Sequence, residues 1–179
     1  LGAIPLIGQQ VLTPELLWKI GRVSDPQVSP SGDQIVFGVT YYDVQKNKGN
    51  RDLYLLELSA GKGKNALPTG KVTQLTDTES GEYNARWTAQ GRIAYLSSES
   101  GSSQVWEIDA KGKSKTQITD LPIDVNDFEL PAKDLMLVSS SVKMDKTVNE
   151  LYADLPEANA RIIDDLMYRH WKSWDDFSY

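Results

Sequence analysis

The sequence predicts an all-β fold, an incomplete β-propeller of about three and a half four-stranded blades with one short N-terminal helix. Three observations lead to this prediction. A strand-turn-strand pattern occurs three times, a short polar strand recurs about every 43 residues, and long stretches with helical 3.6-residue spacing are absent. Repeats of about 40 to 45 residues with four short strands each are typical of propeller blades.

The first segment, residues 1–23, is expected to hold the one helix. Thr13 is a suitable N-cap, Pro14 suits the first helical position, Glu15 places an acid in the first turn, and Gly21 is a stop signal. Residues 1–10 lack an initiator Met and a basic stretch, as expected once an export signal has been removed. We therefore predict an exported protein, periplasmic or secreted, although a truncated cytoplasmic protein would look the same.

The first two strands of each blade are predicted from a large side chain, a tight turn and an alternating strand. The clearest copy covers residues 87–98, with the sequence WTAQGRIAYLSS. Residues 28–37 match it with one extra residue after the glycine, and residues 128–140 match it with the glycine lost. β-branched and aromatic residues fill these strands, and turn-forming residues bound them.

The third and fourth strands recur as well. An aliphatic residue followed by an aromatic one predicts the third strand at Leu53-Tyr54, at Val105-Trp106 and, more loosely, at Leu151-Tyr152. The polar fourth strand is predicted at residues 74–77 (QLTD), 117–120 (QITD) and 161–164 (RIID).

These repeats set the predicted domain bounds. Residues 24–179 form the incomplete propeller, with blades at about 24–79, 80–122 and 123–166 and the start of another at 167–179. The first blade is longer than the others because it contains two Gly- and Lys-rich loops, 43–50 and 59–71.

Composition excludes several classes of function. The formal net charge of −6 disfavours a nucleic-acid partner, and the absence of cysteine excludes disulfides, zinc-thiolate sites and a cysteine nucleophile. No apolar run is long enough to span a membrane. No cofactor is indicated, and no metal site is predicted because the calcium-loop spacing is absent.

Three stretches carry a family resemblance. Residues 25–37 (DPQVSPSGDQIVF) resemble the repeat of TolB and of the propellers of the prolyl oligopeptidase family. Residues 12–32 (LTPELLWKIGRVSDPQVSPSG) and 161–179 (RIIDDLMYRHWKSWDDFSY) resemble bacterial secreted dipeptidyl and acylaminoacyl peptidases of that family. The resemblance covers residues 12–179.

The resemblance implies an N-terminal propeller over a C-terminal α/β-hydrolase domain that carries a Ser-Asp-His triad. This sequence has no G-x-S-x-G motif, and no such motif accompanies its single histidine, His170. We therefore assign no catalytic residue. The parent protein is expected to be a serine peptidase, and the 179-residue chain is expected to be inactive alone.

Arg169, His170, Trp171 and Trp174 are the candidate substrate-binding residues. An arginine can bind a carboxylate bidentately, and indole rings can line an apolar pocket. The alternative is that both tryptophans pack between blades and the charges are solvated. Trp18, Trp87 and Trp106 are predicted to be core residues.

Acidic residues offer no clear amine-binding site for a peptide N-terminus. The pairs Asp164-Asp165 and Asp175-Asp176 and the loose group Asp124, Asp127 and Glu129 are not distinguished by their spacing. The aspartates that end the predicted fourth strands recur with the repeat, so we expect them to cap turns.

Two functions remain open. The first is a non-catalytic propeller region of an exported serine exopeptidase, which gates and helps bind short peptides beside its α/β-hydrolase domain. The second is a TolB-like propeller that binds a protein and has no enzymatic activity. In either case three or so blades leave apolar faces and strand edges open, so we expect self-association.

Overall fold

The computed structural model describes residues 12–59, 69–142, 146, 148–155 and 157. Its strands, in chain order, are β1 (Arg22–Val28), β2 (Gln34–Asp43), β3 (Lys48–Ser59), β4 (Thr69–Gln74), β5 (Glu82–Trp87), β6 (Ile93–Ser97), β7 (Gln104–Ile108), β8 (Lys115–Gln117), β9 (Asp127–Ala132) and β10 (Leu135–Ser139). Two short helices, α1 (Pro14–Lys19) and α2 (Val148–Leu151), complete the described elements. The predicted β class is confirmed.

The strands form three antiparallel sheets, and within each sheet every strand pairs with the next along the chain. Sheet 1 contains β1 to β4, sheet 2 contains β5 to β8, and sheet 3 contains β9 and β10. None of these sheets closes on itself. The number of blades stays a prediction, because the described residues supply two four-stranded sheets and one two-stranded sheet.

The predicted tight turns join the first two strands of sheets 1 and 2. In the first turn the Gly32 N–H donates to the Ser29 carbonyl at 2.9 Å, and in the second the Gly91 N–H donates to the Thr88 carbonyl at 3.0 Å. Both glycines have a positive φ, +77° and +73°, which L side chains rarely adopt. The alignment of these two turns is therefore confirmed.

The predicted bounds of the fourth strands are wrong. β4 ends at Gln74 and β8 ends at Gln117, so each QLTD or QITD segment begins at the last residue of its fourth strand and continues beyond it, and residues 69–71 belong to β4 and not to the predicted loop 59–71. The Leu53 N–H donates to the Thr76 hydroxyl at 2.9 Å, and the Val105 N–H donates to the Thr119 hydroxyl at 2.8 Å. The aspartate after each threonine is exposed. The threonines thus attach each segment to its third strand.

Consecutive sheets pack face to face through two apolar clusters. The first joins sheets 1 and 2 and contains Val36, Leu53, Leu55, Leu75, Ala85, Ile93, Tyr95 and Ile108. The second joins sheet 2 to sheet 3 and the segment before it, and contains Ala94, Leu96, Val105, Val125 and Phe128. Because side chains alternate along a strand, β6 supplies Ile93 and Tyr95 to one cluster and Ala94 and Leu96 to the other.

The predicted N-terminal helix is confirmed, with a different end. The Thr13 hydroxyl accepts the Leu16 N–H at 3.2 Å, which is the expected N-cap. The helix ends at Lys19, because Ile20 is already extended, and so it stops before Gly21. Gly21 lies so close to Val39 and Tyr41 that a Cβ there would be 2.8 Å from both side chains.

The core assignment of Trp18 is wrong. No residue of α1 is buried, and Trp18 is 42% exposed, with its ring 5.8 Å from that of Tyr42. Trp87 and Trp106 do pack against the first apolar cluster, as predicted. Among the described residues, no second layer covers the indole of this six-residue helix beside β2, whereas the two strand tryptophans lie between sheets 1 and 2.

Two further expectations need correction. The Leu151-Tyr152 strand is absent, because residues 148–151 form the second helix and the Tyr152 N–H donates to the Val148 carbonyl at 2.8 Å. Leu151 and Tyr152 are about half exposed, unlike the buried aliphatic residues of the other third strands. The predicted loop 43–50 is a short turn, since β2 ends at Asp43 and β3 begins at Lys48.

The contacts divide the chain into two units, Leu1–Ser139 and Ser140–Tyr179. All three sheets belong to the first unit, and α2 belongs to the second. Residues 60–68 and the predicted strand at 161–164 lie outside the described residues.

Candidate functional site

The four residues predicted to bind substrate, Arg169, His170, Trp171 and Trp174, lie outside the described residues. Their role stays a prediction. Within the first unit, the described residues form an open cleft of about 590 Å³ beside sheet 2. Its lining comes from the segments 80–84, 96–103 and 124–126, that is, from the start of β5, the β6–β7 connection and the residues before β9.

The lining of the cleft is rich in neutral hydrogen-bonding groups. They belong to Ser80, Asn84, Ser97, Ser98, Ser102, Ser103 and Asn126. Asp124 contributes the one carboxylate of the lining, and neither Lys nor Arg lines the cleft. Such a surface suits a ligand with several N–H or O–H groups and disfavours an anion.

Tyr83 supplies an apolar surface to the cleft. Its side chain is 47% exposed, and the Arg51 guanidinium lies 5.4 Å from its ring centroid, in cation–π range. Gly81 has φ +70°, and a Cβ there would be 3.2 Å from the ring. The turn before β5 therefore depends on this glycine to bring the backbone so close to Tyr83.

Arg51 is itself fixed by sheet 1. Its side chain is 7% exposed, and its Nη2 lies 2.8 Å from Asp25 Oδ2. The two atoms are not aligned as a hydrogen bond, so charge attraction holds the pair. Arg51 also crosses Gly38, where any Cβ would collide with the guanidinium.

Three hydrogen bonds connect two of the segments that line the cleft. Asp124 Oδ1 accepts the Ser103 N–H at 2.6 Å. The Ser103 hydroxyl donates to the Val125 carbonyl at 2.8 Å, and the Val125 N–H donates to the Ser103 carbonyl at 2.8 Å. These bonds tie the β6–β7 connection to the segment that leads into β9.

Asn84 joins sheets 2 and 3 at the edge of the cleft. It has φ +51° at a bulge of β5, and its Nδ2 donates to Asp127 Oδ1 at 2.9 Å. Asp25 has φ +49° at the corresponding bulge of β1. Asn and Asp tolerate this left-handed conformation better than most residues, which explains why they occur at both bulges.

Glu82 is a fully buried carboxylate at the start of β5, between two residues that line the cleft. The Thr76 hydroxyl donates to Oε2 at 2.6 Å, and the Thr78 hydroxyl donates to Oε1 at 2.5 Å. Burial raises the pKa of Glu82, and the two threonine hydrogen bonds partly oppose this change. Its cross-strand partner is Ser97, which is 2% exposed.

Asp52 is a second buried carboxylate near Glu82. Burial raises the pKa of Asp52, and the charge of Asp77 raises it further. The Asp52 charge in turn raises the pKa of Glu82. Two acids in this region therefore resist ionisation more than exposed acids do.

The loosely grouped acids of the sequence have different partners in the structure. Asp124 lines the cleft, Asp127 accepts the Asn84 amide, and Glu129 lies 3.8 Å from Arg86. The cleft was missed at the level of sequence. The signal that could have indicated it is the serine-rich stretch SSESGSS at residues 97–103, between two predicted strands.

Other kinds of site are not seen in the described part of the chain. No group of three or more Asp, Glu or His side chains there is arranged to hold a metal ion. No helix in the same ranges is long and apolar enough to cross a membrane.

Comparison with known proteins gives clear relatives. The chain is 39% identical over 165 residues to dipeptidyl-peptidase 5 of Porphyromonas gingivalis. The matched region is 91% of this chain and 23% of that protein. It is homologous to dipeptidyl-peptidase 5. The enzyme of the same name from Porphyromonas endodontalis is 31% identical over 166 residues, and that from Aspergillus fumigatus is 26% identical over 173 residues. No protein-family model matches the chain.

The predicted resemblance to dipeptidyl peptidases is thereby confirmed. The chain spans about a quarter of the length of the dipeptidyl-peptidase 5 proteins it matches. Two solved structures of AtxE2 isopeptidase, an apo form and a variant with Astexin3-dC4 bound, share its fold with TM-scores of 0.54 and 0.52. The matched regions cover 72% and 71% of this chain and 23% of each isopeptidase chain, at 17% and 16% sequence identity.

Proposed function

We propose that the chain is part of the β-propeller of an exported dipeptidyl peptidase and helps that enzyme to admit and bind short peptides. The observation that carries the proposal is the 39% identity to a dipeptidyl-peptidase 5 over 91% of the chain. Serine attack, histidine proton transfer and an oxyanion hole would be supplied by an α/β-hydrolase domain of the longer protein. The present chain has no G-x-S-x-G motif for that role.

The packing of the sheets supports the propeller part of the proposal. Sheet 1 packs on sheet 2 and sheet 2 packs on sheet 3, each time through apolar side chains of consecutive sheets. The first strands of the sheets, β1, β5 and β9, also contact one another in sequence. Stacked antiparallel sheets with neighbouring first strands are the arrangement of propeller blades.

The cleft offers a peptide both polar and apolar contacts. Its hydroxyl and amide groups can pair with peptide N–H and C=O groups, and the Tyr83 ring can cover an apolar side chain. The lining carries no positive charge, so a substrate with a free ammonium group is not repelled.

The test uses the full-length enzyme encoded by the natural gene and a chromogenic dipeptidyl substrate. Tyr83→Ala is expected to raise KM roughly twofold to tenfold with little change in kcat, because it removes a binding surface worth about 0.5–1.5 kcal/mol. Tyr41→Ala is the matched control, since Tyr41 is 49% exposed, close to the 47% of Tyr83, and does not line the cleft.

An unchanged KM in Tyr83→Ala, or an equal rise in Tyr41→Ala, would contradict a role of the cleft in peptide binding. A full-length enzyme that releases no dipeptide would contradict the peptidase assignment itself. The two failures are therefore distinguishable.

A further inference from the structure

The exposed ring of Tyr83 is backed by a buried cation. The Arg51 guanidinium lies 5.4 Å from the ring centroid, and the Arg51 side chain is only 7% exposed. Tyr83 lines the cleft and is 47% exposed, whereas Arg51 does not belong to the lining. A ligand in the cleft can therefore touch the ring while the guanidinium stays covered.

Three strands of sheet 1 fix the position of this guanidinium. Arg51 lies on β3 opposite Thr40 of β2, and its side chain crosses Gly38, where any Cβ would collide with it. Asp25 lies at the bulge of β1, and its Oδ2 is 2.8 Å from Arg51 Nη2. The cation thus has a defined place next to the ring.

Hydrogen bonds do not explain why this charge is buried. Among the described residues, neither Nε nor Nη2 of Arg51 has a hydrogen-bond acceptor. A buried charge without hydrogen bonds is costly unless other groups compensate it. The compensation comes from the opposite charge of Asp25 and from the electron-rich ring of Tyr83.

A cation beside an aromatic ring changes what the rest of the ring can bind. An aromatic ring attracts cations through the negative charge of its faces, and Arg51 already uses this attraction at Tyr83. The guanidinium would also repel a second cation at the ring, because a protein screens two charges less well than water does. An uncharged apolar group avoids both penalties and still gains contact area with the ring.

We propose that Arg51 makes the Tyr83 ring a surface for uncharged apolar side chains of a peptide and disfavours lysine and arginine side chains there. The inference rests on the proposed function, because it requires that peptides bind in the cleft. Arg51 acts through Tyr83 and is therefore a positioning residue that sets specificity. The lining itself carries no positive charge, so the N-terminal ammonium of a peptide is accepted elsewhere in the cleft.

Asp25 limits this selection, because its carboxylate partly neutralises the guanidinium. The Asp25 side chain is 49% exposed, so the ion pair is partly solvated on that side. Removing the charge of Asp25 should strengthen the selection against cations, and removing the charge of Arg51 should weaken it. Opposite effects from the two members of one ion pair are not expected if the pair only stabilises the fold.

The test uses the full-length enzyme encoded by the natural gene and pairs of chromogenic dipeptidyl substrates that differ only in norleucine or lysine. These two side chains have similar lengths and different charges, and each is placed at the first or the second residue of the dipeptide. Arg51→Met is expected to lower the ratio of kcat/KM for norleucine over lysine about twofold to fivefold at one of these positions. Asp25→Asn is expected to raise this ratio, and asparagine tolerates the φ of +49° at that position.

Arg22→Met is the matched control for the loss of one positive charge. The Arg22 guanidinium lies 4.2 Å from the Tyr42 ring centroid, and neither residue lines the cleft, so the ratio should stay unchanged. Arg51→Lys keeps a cation near the ring and should preserve most of the preference. Asp124 attracts cationic side chains in every variant, so differences between variants isolate Arg51.

A ratio that stays unchanged in Arg51→Met and Asp25→Asn, or shifts in the same direction in both, would overturn the proposal. So would an equal shift in Arg22→Met, because the effect would then reflect net charge alone. Should Arg51→Met not fold, the direction of the change in Asp25→Asn still decides the matter.

Tyr83→Ala separates this inference from the proposed function. An unchanged KM in that variant for every substrate contradicts peptide binding at the ring, and both proposals then fail. A raised KM in Tyr83→Ala together with an unchanged ratio in Arg51→Met contradicts only the role of Arg51.

Discussion

Glu82 combines full burial with two hydrogen bonds from threonine hydroxyls. Its burial makes the free energy of unfolding depend on pH. Because burial raises its pKa in the folded state, the folded state holds this proton more tightly than the unfolded state does. The associated stability is complete below the ordinary glutamate pKa and is lost as the pH rises through the raised value.

Glu82→Gln should therefore flatten the fall in the free energy of unfolding between acid and neutral pH. Urea unfolding of the variant and the wild type at several pH values measures this slope. Asp52 contributes a slope of the same sign in both proteins, so the difference between them isolates Glu82. Glu79→Gln is the control, because Glu79 is exposed and only three residues away. Equal slopes in all three proteins would contradict this account.

At the scale of single elements, the recurring threonine is the clearest structural unit. The Thr119 hydroxyl accepts the Val105 N–H and donates to Gln104 Oε1, both at 2.8 Å. Val105 and Gln104 are fully buried, so water cannot replace the hydroxyl as a hydrogen-bond partner of the Val105 N–H or of Gln104 Oε1.

Thr119→Val is expected to lower the free energy of unfolding by about 1–3 kcal/mol, since it leaves the buried Val105 N–H without its acceptor. Gln104 Oε1 loses one hydrogen bond but still accepts the Leu121 N–H at 3.1 Å. Thr116→Val, on the exposed part of β8, should change it by less than about 0.5 kcal/mol. Chemical denaturation compares the two variants. A loss at Thr116 as large as at Thr119 would show that the hydrogen bonds are not the cause.

Much of the element pattern could be predicted from the sequence, because it depends on local chemistry. Gly32 and Gly91 mark turns that need a positive φ, and alternating aliphatic residues mark strands. The strand expected at Leu151 is wrong because a short aliphatic-aromatic pattern does not establish a packing partner. Burial by a neighbouring sheet is what holds Leu53 and Val105 in their strands, and Leu151 is 49% exposed.

At the scale of the whole molecule, the cleft could not be predicted from the sequence. The cleft depends on contacts between distant segments, such as the bond from Asn84 to Asp127, 43 residues apart. Strand register could not be predicted either, although it brings Val28, Ile35, Leu56 and Val72 into one row across sheet 1. The family resemblance could be recognised from the sequence alone, because it rests on short motifs spread along the chain.

Release of dipeptides by the product of the complete natural open reading frame tests the central claim most directly. The account predicts that this product releases dipeptides from a chromogenic dipeptidyl substrate, while the 179-residue chain releases none. A folded full-length product without such activity would contradict the account and favour the non-catalytic, TolB-like binding propeller. Activity in the 179-residue chain alone, retained after contaminating peptidases are excluded, would contradict it as well.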